Sequence, residues 1–147
     1  MRFWKSFQIA LGVVALDQLS KALLGGSSAP LIPGVLRLTP VRNTGAAFGL
    51  FGQGTPWLAL LSGAAVLLIW LYQWKGKSDG LFGLGLSVLA GGALGNLIDR
   101  VSRGYVVDFL ALEFMTFPVF NLADVAVTCG CLLCIVAVLL HKEGARG

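Results

Sequence analysis

Apolar residues run along this chain in long blocks separated by short polar ones. Pro56 to Trp74 and Leu81 to Ile98 carry no charge, and neither does Val125 to Leu140, which the apolar stretch Met115 to Ala123 approaches from the other side of Asp124. A helix needs roughly 20 apolar residues to cross the hydrocarbon of a bilayer, so each block predicts a membrane span. A fourth block, Phe7 to Leu24, is interrupted by Asp17 and Lys21. With Arg2 and Lys5 ahead of it and Ser27-Ser28-Ala29 behind, it has the outline of a cleavable signal peptide. The core of a signal peptide has no use for a buried ion pair, however, so the block reads as the first span. The spans fall at roughly 4–24, 56–74, 81–99 and 119–140, leaving outer segments at about 25–55 and 100–118.

The first outer segment, Gly25 to Thr55, is rich in Gly and Pro, and Val35-Leu36-Arg37-Leu38-Thr39 alternates as a short strand does. The expected fold is therefore an all-α integral membrane protein. Four transmembrane helices carry a small extracytoplasmic β-containing platform between helices 1 and 2, and residues 1–147 form one domain. Gly76 to Gly80 is a tight inner turn. Gly91, Gly92 and Gly95 on the third span suit close approach of a neighbouring helix, and Gly91 and Ala93 are candidate walls of an acyl-chain groove.

Composition agrees with this pattern. Of the 147 residues 56% are hydrophobic and 12% charged, with a mean hydropathy of +0.83. Four crossings take about 80 residues and leave roughly 67 for ends and loops, too few for a separate soluble domain. The net charge of +4 is spread thinly, with no basic run, so it reads as topology and lipid contact and excludes nucleic-acid binding. Arg2, Lys5, Lys75, Lys77, Lys142 and Arg146 lie in short segments on one side, which puts both termini in the cytoplasm. Trp70, Tyr72 and Trp74 at one end of the second span, and Trp57 at the other, match interfacial aromatic belts. Cys129, Cys131 and Cys134 share one apolar run, so they read as helix packing rather than a disulfide framework or a metal site.

Ionisable side chains in hydrocarbon cost several kcal/mol unless paired or wetted, which makes each one a functional candidate. Asp17 and Lys21 lie four apart on the first span, as do Asn96 and Arg100 on the third with Asp99 beside them. Asn121 and Asp124 share a face where the fourth span begins, and all of these gather toward the outer side. Asp108 interrupts the apolar Tyr105-Val106-Val107-Asp108-Phe109. Sixteen residues separate it from Asp124, about 24 Å along a single helix, so the two meet only if the chain folds back; Pro118 allows that.

The sole histidine, His141, sits in the cytoplasmic tail, which leaves no material for a histidine-dependent triad or a histidine-built metal centre. Two aspartates brought together share a proton, one accepting from water while the other donates to a peptide carbonyl. On the residues alone, ion pairing of these aspartates with Arg100 or Arg103 reads equally well. A four-span transporter using Asp17 as a proton or cation site is the alternative function, although transport sites favour the midplane. A membrane chaperone that binds signal sequences without cutting them is a third.

Five blocks decide between these readings: Asp17-Gln18-Leu19-Ser20-Lys21; Asn43-Thr44-Gly45-Ala46-Ala47-Phe48-Gly49; Gly91 through Arg100; Val107-Asp108-Phe109; and Phe120-Asn121-Leu122-Ala123-Asp124. In order and spacing they resemble the motifs of bacterial lipoprotein signal peptidase, signal peptidase II. The resemblance implies an aspartic endopeptidase of the bacterial inner membrane that cuts prolipoproteins before the diacylglyceryl-modified cysteine. It implies Asp108 and Asp124 as the catalytic pair, Asn43, Gly45, Asn96, Arg100, Asn121 and Ala123 around them, and Asp17 and Lys21 in support. No metal or cofactor is implied. Lipidated prolipoproteins and membrane lipids are the implied partners, the cyclic peptide globomycin the implied inhibitor, and a monomer the implied state. Arg100 is expected to tie down the outer loop, and Asn43 to Phe48 to join the platform over the substrate. Leu110 to Thr116 carries no matching motif.

Overall fold

The apolar blocks fold as the pattern predicts. A computed structural model describes residues 3–45, 55–76 and 80–144 and contains α1 (Phe3–Leu24), β1 (Ala29–Ile32), β2 (Leu36–Asn43), α2 (Thr55–Trp74), α3 (Gly80–Arg103), β3 (Val106–Leu112) and α4 (Leu122–Gly144). Arg2, Lys77 and Arg146, counted above for topology, and Ala46 to Gly49 of the second motif lie outside the described residues. All four helices are long and apolar enough to cross a membrane.

Helix α3 is the centre of the bundle, packed against each of the others. Its glycines make that possible. A Cβ on Gly91 would stand 2.7 Å from the Val13 Cβ of α1, one on Gly92 2.5 Å from the Ala123 carbonyl oxygen of α4, and one on Gly85 2.7 Å from the Cys134 Sγ. Helix α4 answers with Gly130, where a Cβ would stand 2.6 Å from the Leu89 nitrogen. Backbones this close leave room only for hydrogen, the small-residue solution to packing in lipid, where apolar burial supplies little drive. Gly91 is therefore buried against α1 and lines no open groove.

At the opposite end from the platform, Phe3 packs on Trp74 and Phe7 on Trp70 with ring centroids 5.0 and 5.7 Å apart, joining the start of α1 to the end of α2. Gln73 ties α2 to α3 by donating from Nε2 to Gly83 O and Ser87 Oγ, each at 3.1 Å. The packing role expected of the cysteines holds for Cys134. Cys129 and Cys131 are exposed.

Three helix ends lie more than one residue from the expected spans, among them the end of α4, which runs on to Gly144. Helix α3 continues through Arg103, because Asp99 and Arg103 pair across one turn at 3.2 Å and Gly104, at φ 77°, supplies the left-handed stop, its N–H reaching Arg100 O. Arg100 and Arg103 are thus helical. Helix α4 begins at Leu122, since Phe120 pairs with Leu110 in an antiparallel bridge instead of entering the helix.

The platform lies between helices 1 and 2 as expected, and it recruits a further strand. β1 and β2 form a hairpin whose turn uses Gly34 at φ 75°, while β3, from the connection between α3 and α4, adds antiparallel to β2 to give the order β1-β2-β3. The β2–β3 register breaks between Leu38 and Val41, around Pro40, which has no N–H to give the ladder. Beyond the break Val41 faces Asp108, Arg42 faces Val107 and Asn43 faces Val106. Leu38, Phe109 and Leu110 form the buried platform core, with Leu24, Leu36 and Phe120 against it. Glu113, in the stretch without a motif, latches the hairpin. Its carboxylate takes the Arg37 Nε and the Gly34 N–H, both at 2.7 Å, and these bonds hold it below the usual carboxylate range.

Candidate active site

Asp108 and Asp124 reach one place from different kinds of element, a strand and the first turn of a helix. Asn121 joins them. It caps α4, its Oδ1 accepting the Asp124 N–H at 2.9 Å while its own N–H donates to Asp124 Oδ2 at 3.1 Å, the reciprocal arrangement of a capping box. Its Nδ2 donates to Asp108 Oδ1 at 2.7 Å, with Asn96 Oδ1 at 3.1 Å and Val107 O at 3.3 Å also in reach. One residue therefore bonds both acids, Asp108 through its side chain and the Asp124 carboxylate through its backbone N–H.

The remaining carboxylate oxygens also have donors. Asn96 Nδ2 donates to Asp124 Oδ1 at 2.8 Å, and Asn43 Nδ2 to Asp108 Oδ2 at 2.9 Å. The Asn43 amide is oriented by the Gly45 N–H, which donates to its Oδ1 at 3.0 Å. Asp108 is 1% exposed and Asp124 half-buried. Burial pushes the Asp108 carboxyl up to about 6; the bond from Asn43 opposes the rise, the charge of Asp124 adds to it, and the bond from Asn121 and the Lys21 charge oppose it.

Behind the acids lies a buried ionic cluster. Lys21 Nζ stands 2.8 Å from Asp17 Oδ2, 2.8 Å from Asp99 Oδ2 and 3.0 Å from Asn96 Oδ1. The i,i+4 pair expected of Asp17 and Lys21 is present, and Asp17 does more, accepting the Ala123 N–H on Oδ1 at 3.0 Å and so fixing the residue before Asp124. Gln18 Nε2 binds Asp17 Oδ2, Gly95 O and Asp99 Oδ1. Ala123 is fully buried; Cβ atoms on Gly92 and Gly95 would meet its oxygen and its Cβ.

Asp99 and Gln18 were not among the predicted site residues. Their signal was present in the spacing: Asp99 is three residues from Asn96, and Gln18 three from Lys21, each on the face of its helix that carries a candidate. The loop residues that Arg100 is expected to tie down lie partly outside the described residues. Extension of α3 keeps Arg100 helical, where its NH1 makes a 3.5 Å contact to Asn96 O and its buried Nε has no hydrogen-bond partner among the described residues. Its guanidinium lies in the field of Asp124, Asp108 and Asp99. Among the described residues, no group of three or more His, Cys, Asp or Glu is gathered as metal ligands would be.

Comparison with known proteins gives consistent results. The model of the family described as signal peptidase (SPase) II matches residues 9–140. A lipoprotein signal peptidase of Syntrophomonas wolfei is 47% identical, over 97% of this chain and 96% of its own. One from Lactococcus lactis subsp. lactis is 38% identical, over 92% of this chain and 93% of its own. Two solved structures of bacterial membrane enzymes superpose with TM-scores of 0.87 and 0.82. The first is 33% identical and covers 95% of this chain and 90% of its own; the second is 34% identical and covers 92% of each.

Proposed function

The chain belongs to the signal peptidase II family, and from that premise we propose that it is an aspartic endopeptidase cutting prolipoproteins on the amino side of their diacylglyceryl-modified cysteine. The observation that carries this reading is Asn121, which bonds Asp108 from its side chain and Asp124 from both side chain and backbone. Two carboxylates drawn to one asparagine from separate elements cannot both ionise freely, so the pair shares a proton.

In the singly protonated pair, the ionised carboxylate takes a proton from water as the water oxygen bonds to the scissile carbonyl carbon. The protonated acid gives its proton to the carbonyl oxygen. As the resulting gem-diol collapses and the C–N bond breaks, the leaving nitrogen takes the proton held by one carboxyl while a gem-diol hydroxyl gives its proton to the other, so the pair again holds one proton for the next cycle. Asn43, Asn96 and Asn121 hold the four carboxylate oxygens in place and leave the proton transfer to the acids, since amides do not titrate.

The site sits at the outer face of the bacterial inner membrane, with both termini cytoplasmic, where the carboxylates reach both water and a substrate anchored by acyl chains. One domain acting as a monomer suffices for this chemistry, and globomycin is the expected occupant of the space between the acids. A transporter using Asp17 has less support, because both oxygens of Asp17 are engaged by Lys21, Gln18 and the Ala123 N–H.

Sizing the products after incubation of purified protein with a diacylglyceryl-modified precursor tests the reading. Wild type should release the signal peptide; Asp108→Asn and Asp124→Asn, each folded as judged by thermal unfolding in detergent, should release none. Full turnover by either folded variant would exclude the pair as the catalytic dyad.

A further inference from the structure

We propose that Asp99 is a positioning residue for the reaction, clamping the strand that carries Asp108 at the height the chemistry needs and, through Lys21 and Asn96, steadying Asp124 as well. The inference rests on the aspartic reading above.

Asp99 is fully buried near the end of α3 and has four donors around two oxygens. Oδ1 accepts from Gln18 Nε2 and Arg103 NH1, both at 3.2 Å. Oδ2 accepts from Lys21 Nζ at 2.8 Å and from the Val107 N–H at 3.2 Å. The last bond reaches the catalytic strand. Arg42 is the β2 partner of Val107, yet the N–H of Val107 goes to Asp99 and its carbonyl oxygen accepts from Asn121. The residue before Asp108 is thus gripped on its edge away from β2 at both its polar groups. A buried N–H deprived of its acceptor is costly, so the strand has one favoured seat.

The second arm runs from Asp99 through Lys21 to Asn96, whose Oδ1 takes the ammonium at 3.0 Å and whose Nδ2 holds Asp124 at 2.8 Å. A carboxylate is the group the position requires, because only an acceptor on both oxygens satisfies four donors. An asparagine there would turn its NH2 either against Lys21 and Val107 or against Gln18 and Arg103. Gln18 has no freedom to invert its own amide in reply, since the same Nε2 serves Asp17 and Gly95 O.

The charged groups facing this network are Asp17 and Lys21 from α1, Arg100 and Arg103 from α3, Asp108 from β3 and Asp124 from α4. Loss of the Asp99 charge removes one anion from the set and leaves Lys21 less neutralised, so Asp108 ionises more easily.

The test is steady-state cleavage of a diacylglyceryl-modified precursor by full-length protein in detergent, followed across pH. Asp99→Asn should lower kcat by about 10- to 100-fold, the scale of a misplaced catalytic group, with KM within about twofold, and should move the limb that reports Asp108 to lower pH. Val107→Pro removes the clamped N–H and no charge. Proline is tolerated there because β2 does not use that donor, so this variant should lose kcat without moving the limb. Wild-type kcat in folded Val107→Pro overturns the proposal even if Asp99→Asn fails to fold; an unchanged limb in folded Asp99→Asn overturns it too. Asp108→Asn run alongside separates the two readings, since activity in that variant sinks the aspartic mechanism, whereas its silence beside a fully active Asp99→Asn sinks this inference alone.

Discussion

Asn43 shows how a single amide can tune a buried acid. Its bond to Asp108 Oδ2 favours the ionised carboxylate and opposes burial, which still leaves the group near 6. Asn43→Ala therefore raises the Asp108 value further, and the corresponding limb of a pH–rate profile should move to higher pH, opposite in direction to Asp99→Asn; an unmoved limb would show that the amide does not set this ionisation. The same shift bears on stability. Asp108 holds its proton in the fold well above its ordinary 3.8, so its contribution is fully present below that value and is lost as pH rises through about 6. At this scale most of the site was legible, because an ionisable or amide side chain in an apolar run stands out: Asp17, Lys21, Asn96, Asp108, Asn121 and Asp124 were all visible in this way. Asp99 was visible as a charge but not as a partner. Which backbone N–H it accepts depends on β3 folding back against α3, and that information does not lie in the spacing of α3 alone.

The helices were legible as elements because a period of apolar residues long enough to span hydrocarbon has few other uses. Their ends were less so. The end of α3 is set by an Asp99–Arg103 pair and a glycine in the left-handed region, and the start of α4 by a cap that doubles as part of the site. Strand β3 escaped notice because Val106 to Leu112 is nearly all apolar and carries none of the alternation of a half-exposed strand; it lies mostly buried between β2 and Phe120. Glycine placement is where an element can be tested. Gly92→Ala sets a Cβ 2.5 Å from the Ala123 carbonyl oxygen, so it should destabilise the protein by about 1–3 kcal/mol and lower cleavage by shifting the first turn of α4. Gly12→Ala in α1 meets nothing within 4 Å and should stabilise slightly, by about 0.5–1 kcal/mol. Thermal unfolding in detergent reads both, and equal effects would mean that α3 and α4 do not pack as closely as described.

On the scale of the whole molecule, cation placement predicts the orientation, and labelling checks it. In protein whose native cysteines are replaced by serine, Ser28→Cys beside the platform should react with an impermeant maleimide added to intact spheroplasts, and Lys142→Cys should react only after lysis. The reverse pattern would invert the topology. The platform has a larger consequence. Its β2 precedes α2 and its β3 follows α3, so the sheet closes only after three helices have been threaded and brought side by side. Until that closure Asp108 hangs on an unpaired ribbon with neither Asn43 nor Asn121 beside it. If the two acids act as proposed, a half-assembled chain is chemically inert, and the membrane is spared a wandering hydrolase while the protein is still being made.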